Sequence, residues 1–206
     1  MTERTVHVVD DDEAVRQSLA WLLTPLGLRV ETYASADAFL AAWTPDLAGC
    51  VVTDVRMPGM SGIALTKALA ERGSVLPVIV ITGHGDVPQA VRAMRAGAID
   101  FIEKPLDNQV LIERLEEALR LSGQRRAEAE QLRQVAGRYA TLSAREREVA
   151  QAVALGKQNK AIAHELAISQ KTVEIHRAHA MEKLGAATAA DLARMLARAG
   201  LIGENP

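Results

Sequence analysis

The sequence predicts an α/β domain on a doubly wound, five-stranded parallel sheet, then a helical linker and an all-α unit containing a helix-turn-helix. Three observations carry that expectation. Short runs rich in Val and Ile alternate with helical patterns through the first half of the chain. A polar residue closes successive runs: Asp10 and Asp11 after Val6–Val9, Asp54 after Cys50–Thr53, Thr82 after Val78–Ile81 and Lys104 after Phe101–Glu103. Beyond residue 140, caps and glycines recur at the spacing of short helices only. Apolar strands alternating with helices are how a parallel sheet covered on both faces reads.

The elements follow in order. After the first strand, Val15, Leu19, Leu22, Leu23 and Leu26 recur at helical spacing, and Gly27 stops that helix. Arg29–Tyr33 is the second strand, and Ser35 caps the next helix. Residues 49–53 form the third strand, followed by a helix from Gly62 to Arg72 that Gly73 ends. The fourth strand spans 77–82. Asp86 caps the helix after it, with Pro88 in the first turn and Gly97 past its end. Asp100–Glu103 is the fifth strand. Asp107 then caps a helix running to about Gly137, whose stretch 124–134 is almost all charged residues, Ala and Gln, as an exposed linker would be. Ser143 and Glu146 make a capping box, and Gly156 ends that helix. Asn159–Leu166 is a short helix, 167–169 a tight turn, and Ser169 caps a helix ending at Leu184 and Gly185. A last helix spans about 188–199. Two short helices joined by a three-residue turn read as helix-turn-helix.

Composition bounds the classes available. Of 206 residues, 49% are apolar, and no apolar run approaches the roughly 18 residues of a membrane helix. The chain enters a strand without a charged-then-apolar leader, and its single Cys50 lies within an apolar run as a small buried hydrophobe. A soluble cytoplasmic protein is expected. Charge is uneven: residues 1–106 carry nine Lys/Arg against thirteen Asp/Glu, and residues 143–206 carry nine against seven. The acidic end suits a cation and the basic end a polyanion.

In an open parallel sheet, ligands bind beyond the carboxyl ends of the strands. Asp10, Asp11, Asp54, Thr82 and Lys104 therefore converge on one crevice. The three carboxylates offer hard oxygen ligands for Mg²⁺, which is bound through one or two carboxylates, waters and phosphate oxygens. Asp54, nearest the sheet centre, is the expected nucleophile, forming an acyl phosphate. Lys104 would neutralise one phosphoryl oxygen and Thr82 would donate a hydrogen bond to another. His84 and Arg56 flank the site; each reads first as a solvated loop residue.

This region resembles the receiver domain of two-component response regulators from about Val6 to Leu119. The resemblance rests on Val-Val-Asp-Asp-Asp-Glu (8–13), Thr-Asp-Val-Arg-Met-Pro-Gly-Met-Ser-Gly (53–62), Ile-Thr-Gly-His-Gly-Asp-Val-Pro (81–88) and Gly-Ala-Ile-Asp-Phe-Ile-Glu-Lys-Pro (97–105). It implies phosphorylation of Asp54 by a sensor histidine kinase. It implies Mg²⁺ ligation by Asp11, Asp54 and the backbone carbonyl of Arg56, with Asp10 acting through water. It also implies a switch in which Thr82 moves toward the phosphoryl group and Phe101 swings inward, and a cis Lys104–Pro105 peptide.

On the helix ending at Leu184, Val173, Ala180 and Leu184 form an inward stripe, while Lys171, Glu174, Ile175 and Ala178 share an outward face. An outward Ile can meet a thymine methyl and a Glu can accept from cytosine N4. Lys160, Lys171, Thr172, Arg177 and His179 are candidate phosphate contacts, which position without specifying. The segment resembles the LuxR-type helix-turn-helix domain through Thr-Leu-Ser-Ala-Arg-Glu-Arg-Glu-Val (141–149), Gly-Lys-Gln-Asn-Lys-Ala-Ile-Ala (156–163) and Ile-Ser-Gln-Lys-Thr-Val-Glu-Ile-His-Arg-Ala-His-Ala-Met-Glu-Lys-Leu (168–184). Base contacts carried over by position fall on Glu174, Ile175 and Ala178. Some relatives have a lysine where Ala178 stands, so a methyl contact is the most it can make.

Together these imply a (βα)5 receiver at 1–120, a helical linker at 121–140 and a LuxR-type helix-turn-helix domain at 141–206, most similar to the FixJ-like subgroup. The expected function is a DNA-binding response regulator in which phosphorylation controls dimerisation and transcription regulation. The expected partners are a sensor histidine kinase, promoter half-sites in double-stranded DNA, a second copy of the chain on phosphorylation and, as a further candidate, RNA polymerase; no membrane is among them. The chain is not expected to be an enzyme. The enzymatic alternative, an aspartyl-phosphate hydrolase, typically needs a second acid two positions after the nucleophile, and Arg56 stands there. A protein-binding adaptor without DNA is the third reading.

Overall fold

The computed structural model describes residues 4–83 and 87–202. Asp86, expected as a helix cap, and His84 lie outside the described residues. Contacts divide the chain into two compact units, Met1–Ala127 and Glu128–Pro206.

In the first unit, β1 (Thr5–Val9), β2 (Arg29–Tyr33), β3 (Cys50–Asp54), β4 (Val78–Thr82) and β5 (Asp100–Glu103) form a parallel sheet in the order β2-β1-β3-β4-β5. The helices between them are α1 (Glu13–Leu23), α2 (Ala36–Ala42), α3 (Gly62–Glu71) and α4 (Val87–Ala96), with α5 (Asn108–Ala140) after β5. Successive strand side chains point to opposite faces, and the sequence fills both. Val51, Val78 and Val80 pack with Phe39, Leu65, Leu69 and Ala93 on one face. Val6, Val8, Val52, Ile79 and Ile81 pack with Leu19, Leu23, Leu111 and Leu115 on the other. The central strands β1, β3 and β4 are buried throughout, whereas the outer β2 and β5 are half-exposed.

Local signals set the helix ends. The Asp12 and Ser35 side chains accept from the N–H groups of Ala14 and Ala38, and Asp107 accepts from Gln109 and Val110. The turn Thr24–Leu26 is 3-10 rather than α, because Pro25 has no N–H to continue the ladder. Gly49, at φ +110° before β3, is held by a close approach: a Cβ there would meet the Thr5 carbonyl oxygen at 2.1 Å. Sequence reading passed over His7, which is buried on β1 and whose Nε2–H donates to the Ala48 carbonyl at 2.9 Å. Burial pushes the Cys50 thiol up to about 12, so it stays protonated and unreactive.

The second unit holds α6 (Ala144–Ala154), α7 (Asn159–Leu166), α8 (Gln170–Leu184) and α9 (Ala189–Arg198), joined by the last turns of α5. Its core is Leu142, Val149, Val153, Ile162, Val173, Ala180, Leu184, Leu192 and Leu196. Both halves of the Ser143–Glu146 capping box form. Glu146 does more than cap: Lys183 of α8 donates to both its oxygens at 2.9 and 2.7 Å. Lys183, together with the Ser143 N–H, holds the Glu146 carboxyl at about 2, below its ordinary 4.5. A depressed acid stabilises the fold above its unfolded pKa and loses that contribution as pH falls through its folded one. Glu146→Gln is therefore expected to lower the unit's melting temperature at pH 7 and to remove the part of its acid sensitivity lying between pH 4.5 and about 2, measured as melting temperature against pH.

Candidate functional site

The sheet order places the topological switch point between β1 and β3, where the chain leaves β1 in opposite directions. Val9 pairs with Thr53, which carries Asp10 level with Asp54 across that crevice. Asp54 pairs with Ile81 and Thr82 with Glu103, so Thr82 and Lys104 follow at the next two strand ends. The Lys104 N–H donates to the Thr82 carbonyl at 2.7 Å, fixing the root of the lysine. The Lys104–Pro105 peptide is cis.

Lys104 Nζ lies 2.8 Å from Asp54 Oδ1 and 3.2 Å from Asp10 Oδ2. Asp54 Oδ2 accepts the Arg56 N–H at 2.5 Å, and Asp10 Oδ1 accepts that of Asp12 at 2.9 Å. Arg16, which sequence reading missed, donates from its guanidinium to the Asp10 carbonyl at 2.6 Å. It stands six residues past Asp10, so the α1 periodicity could have pointed to it. Asp10 is 4% exposed and Asp54 8%. Burial pushes the Asp10 carboxyl up, with the Asp12 N–H and Lys104 opposing. Burial pulls Lys104 down, but its hydrogen bond to Asp54 and the charges of Asp10 and Asp54 outweigh that and hold it up. The ammonium is thus fixed in its charged form between two carboxylates.

The structure brings together Asp10, Asp54 and Lys104, with the Thr82 residue buried beside them at 1% exposure. Asp11 and Arg56 lie at the exposed rim, and Phe101 is half-buried against the core around Val80. Among the described residues no group of three His, Cys, Asp or Glu side chains is gathered as a metal cluster. Three converging carboxylates were expected; here two meet at the lysine and the third faces solvent. The donor set nonetheless suits Mg²⁺, which takes one or two protein carboxylates and completes its shell with water. One ammonium leaves the two buried acids with net negative charge before Asp11 is counted.

In the second unit, Ala167 adopts φ 53° and makes the sharp turn between α7 and α8. Lys160, Lys171, Glu174, Ile175, Ala178 and His179 are exposed, and Ile175, at 47%, is a large apolar side chain in water. Lys171 and Glu174 lie 3.6 Å apart. Thr172 and Arg177 are half-buried and engaged locally: the Thr172 and Ser169 hydroxyls meet at 2.8 Å, and Arg177 donates to Asn159 Oδ1 at 3.1 Å. His179 approaches Glu146 at 3.8 Å. Arg138, from the end of α5, donates to the Leu184 carbonyl at 3.3 Å and caps α8 from behind.

An aspartyl crevice at the switch point of a (βα)5 sheet, with a helix-turn-helix unit on the same chain, defines a phosphoacceptor domain coupled to a DNA reader. The comparisons agree. Residues 6–116 match the family of response regulator receiver domains, and residues 140–196 match the luxR family of bacterial regulatory proteins. The chain is 50% identical over 196 residues to the transcriptional regulatory protein FixJ of Azorhizobium caulinodans, covering 95% of this chain and 93% of that one. Full-length FixJ from B. japonicum superposes with a TM-score of 0.58 at 43% identity, covering 98% and 100% of the two chains. The response regulator StyR superposes with a TM-score of 0.79 at 42% identity, covering 95% and 99%. The chain belongs to the two-component response regulators, joining a receiver to a LuxR-type DNA-binding domain. Among the described residues no helix is long and apolar enough to cross a membrane.

Proposed function

We propose that Asp54 accepts a phosphoryl group from a sensor histidine kinase in the cytoplasm, and that the acyl phosphate controls dimerisation and promoter binding. The observation that carries this reading is the Asp10–Lys104–Asp54 bridge at the switch point. An Asp54 oxygen attacks phosphorus as the bond to the kinase's imidazole nitrogen breaks, and the imidazole leaves with its electron pair and takes up a proton. Lys104, already charged and 2.8 Å from Asp54, neutralises a phosphoryl oxygen. Asp10, Asp11, Asp54 and the Arg56 carbonyl would hold Mg²⁺, whose chemistry when bound is to offset charge on the transferring group. A groove of about 460 Å³ along Val15, Ser18 and Leu22 of α1 reaches Lys104 and Pro105, giving the kinase a place to dock.

The Thr82 hydroxyl then turns to the phosphoryl group and Phe101 follows inward. The face they reshape is that of α4 and β5, where Val87, Val91 and Met94 stand 77%, 43% and 49% exposed. Such an apolar stripe suits pairing of two receivers, and a pair presents two α8 helices to two half-sites. On α8, Glu174, Ile175 and Ala178 face base edges, while Lys160, Lys171, Thr172, Arg177 and His179 serve the phosphates. RNA polymerase is the further partner expected of a promoter-bound regulator.

Gel shifts across a salt series on selected DNA test the reader. Ile175→Ala is expected to weaken binding by about 1 kcal/mol with the salt slope unchanged, whereas Lys171→Ala lowers that slope by about 1. Equal binding by a chain ended at Arg138 would rule the DNA reading out and favour the adaptor. Turnover of phosphomonoesters would favour the hydrolase.

A further inference from the structure

Three arginines are among the residues lining a cavity at the end of the sheet opposite Asp54. It opens where β1 begins and Gly49 precedes β3, and its volume is about 330 Å³. Arg4 reaches it from ahead of β1, and Arg120 and Arg126 from α5. Glu116 is the one carboxylate in the lining; it lies 3.8 Å from Arg4, with both side chains more than half exposed. Such a long, solvated pair neutralises little. Among the described residues, neither Arg120 nor Arg126 has an ion pair or a hydrogen bond, whereas Arg114, Arg194 and Arg198 each reach a carboxylate. Gathering three cations around one hollow costs the folded state through self-repulsion. Arg4 and Arg120 are exposed and Arg126 is half-buried, so the three can meet a ligand from solvent while sharing one hollow.

The walls are open as well as basic. Gly123 stands within helix α5, where glycine is disfavoured relative to alanine. A Cβ added there would meet nothing within 4 Å, so the position faces empty space at the lining. The adjacent Ser122, 3% exposed, places a hydroxyl in the same wall. Arginine matches phosphate oxygens in a fork, two bonds at a time.

From this we infer that the cavity is a binding site for a polyphosphate anion, a di- or triphosphate held by Arg4, Arg120 and Arg126. Its volume is near the lower end of ligand pockets, about 300–1,000 Å³. It takes the phosphate tail of a nucleotide with the base outside, or a free inorganic polyphosphate. The site is separate from Asp54, which closes the other end of β3.

Calorimetry on the full chain, with Mg²⁺ chelated, tests this using pyrophosphate, tripolyphosphate and ATP, against sulfate at matched ionic strength. One saturable site per chain is expected, retained in Asp54→Asn. Arg120→Ala and Arg126→Ala should each weaken it by roughly 10-fold or more, the scale of a lost charge-assisted contact. Arg125→Ala, outside the lining, should leave it unchanged. Thermal melts of the arginine variants, which break no native pair, report whether the fold is kept. ATP binding equal to tripolyphosphate assigns the site to the polyphosphate alone; tighter ATP assigns it to a nucleotide. The inference is overturned by absence of saturable binding, by sulfate competing equally, or by binding that survives both substitutions. It is equally overturned if Arg120→Ala and Arg126→Ala weaken only DNA binding, since the cluster would then serve nucleic-acid phosphates.

Discussion

Asp54→Asn is expected to abolish phosphotransfer from a labelled kinase, by at least about 10³-fold, the scale seen when a covalent nucleophile is removed. The amide has no carboxylate oxygen with which to attack phosphorus, yet it fits the same space. Its oxygen can still accept the Arg56 N–H, and Lys104 keeps its contact with Asp10 at 3.2 Å. The variant should therefore fold, and its far-UV dichroism and melting should show it. Asp12→Asn is the matched control: Asp12 is exposed, and its side chain caps α1 through the Ala14 N–H. Labelling should survive there. Label retained by Asp54→Asn would move the phosphoacceptor elsewhere.

Gly62→Ala is expected to destabilise the receiver by about 3 kcal/mol, the upper range for an overpacked core, or roughly 10 °C and more in melting temperature. Gly62 opens α3 and lies against the end of β3. An added Cβ would stand 2.1 Å from the Asp54 carbonyl oxygen and 2.8 Å from the Thr53 hydroxyl. Neither neighbour can yield easily: Thr53 is fully buried, and the Asp54 residue is paired with β4. The backbone must shift where Asp54 is aimed, so labelling should fall together with stability. Gly137→Ala supplies the opposite sign. In α5, where a Cβ would meet nothing within 4 Å, the same change should stabilise by up to about 1 kcal/mol. Calorimetric melts of the two variants check both.

The parts of this fold that are local were legible in the sequence. Strand β2, strand β5, helix α7 and helix α8 fall on the residues expected, because a cap, a turn or a change of period marks each boundary. Helix α5 runs three residues past Gly137, to Ala140. One helical glycine costs too little to end a helix whose last turn is held by Arg138 on the Leu184 carbonyl and Tyr139 beneath Gln151. The meeting of Asp10, Asp54 and Lys104 in one crevice was legible because a parallel sheet brings strand ends together whatever the loops do. What could not be read is which long side chain crosses to which partner. Lys104 meets acids 94 and 50 positions away, and Lys183 meets Glu146 37 away. Nor does sequence spacing separate Asp11, at the rim, from Asp10, buried and bonded beneath it. Arg177 and Thr172 are candidate phosphate contacts, and spacing did not show that each also bonds within its own domain. Helical spacing gives the face of a side chain and not its neighbours.

The buried acids also imply a trade between stability and chemistry. Burial pushes the Asp10 carboxyl up, so keeping it charged beside Lys104 costs the fold stability. Such strain is common where a site needs groups that the fold would otherwise avoid.

The most direct measurement is the affinity of the full chain for its operator with Mg²⁺, before and after treatment with a small phosphodonor, in the native chain and in Asp54→Asn. Phosphorylation of Asp54 is expected to raise that affinity by roughly 5- to 150-fold, the usual span of coupling between two sites, in the native chain alone. An unchanged affinity with Asp54 fully labelled, or the same gain in Asp54→Asn, would contradict it.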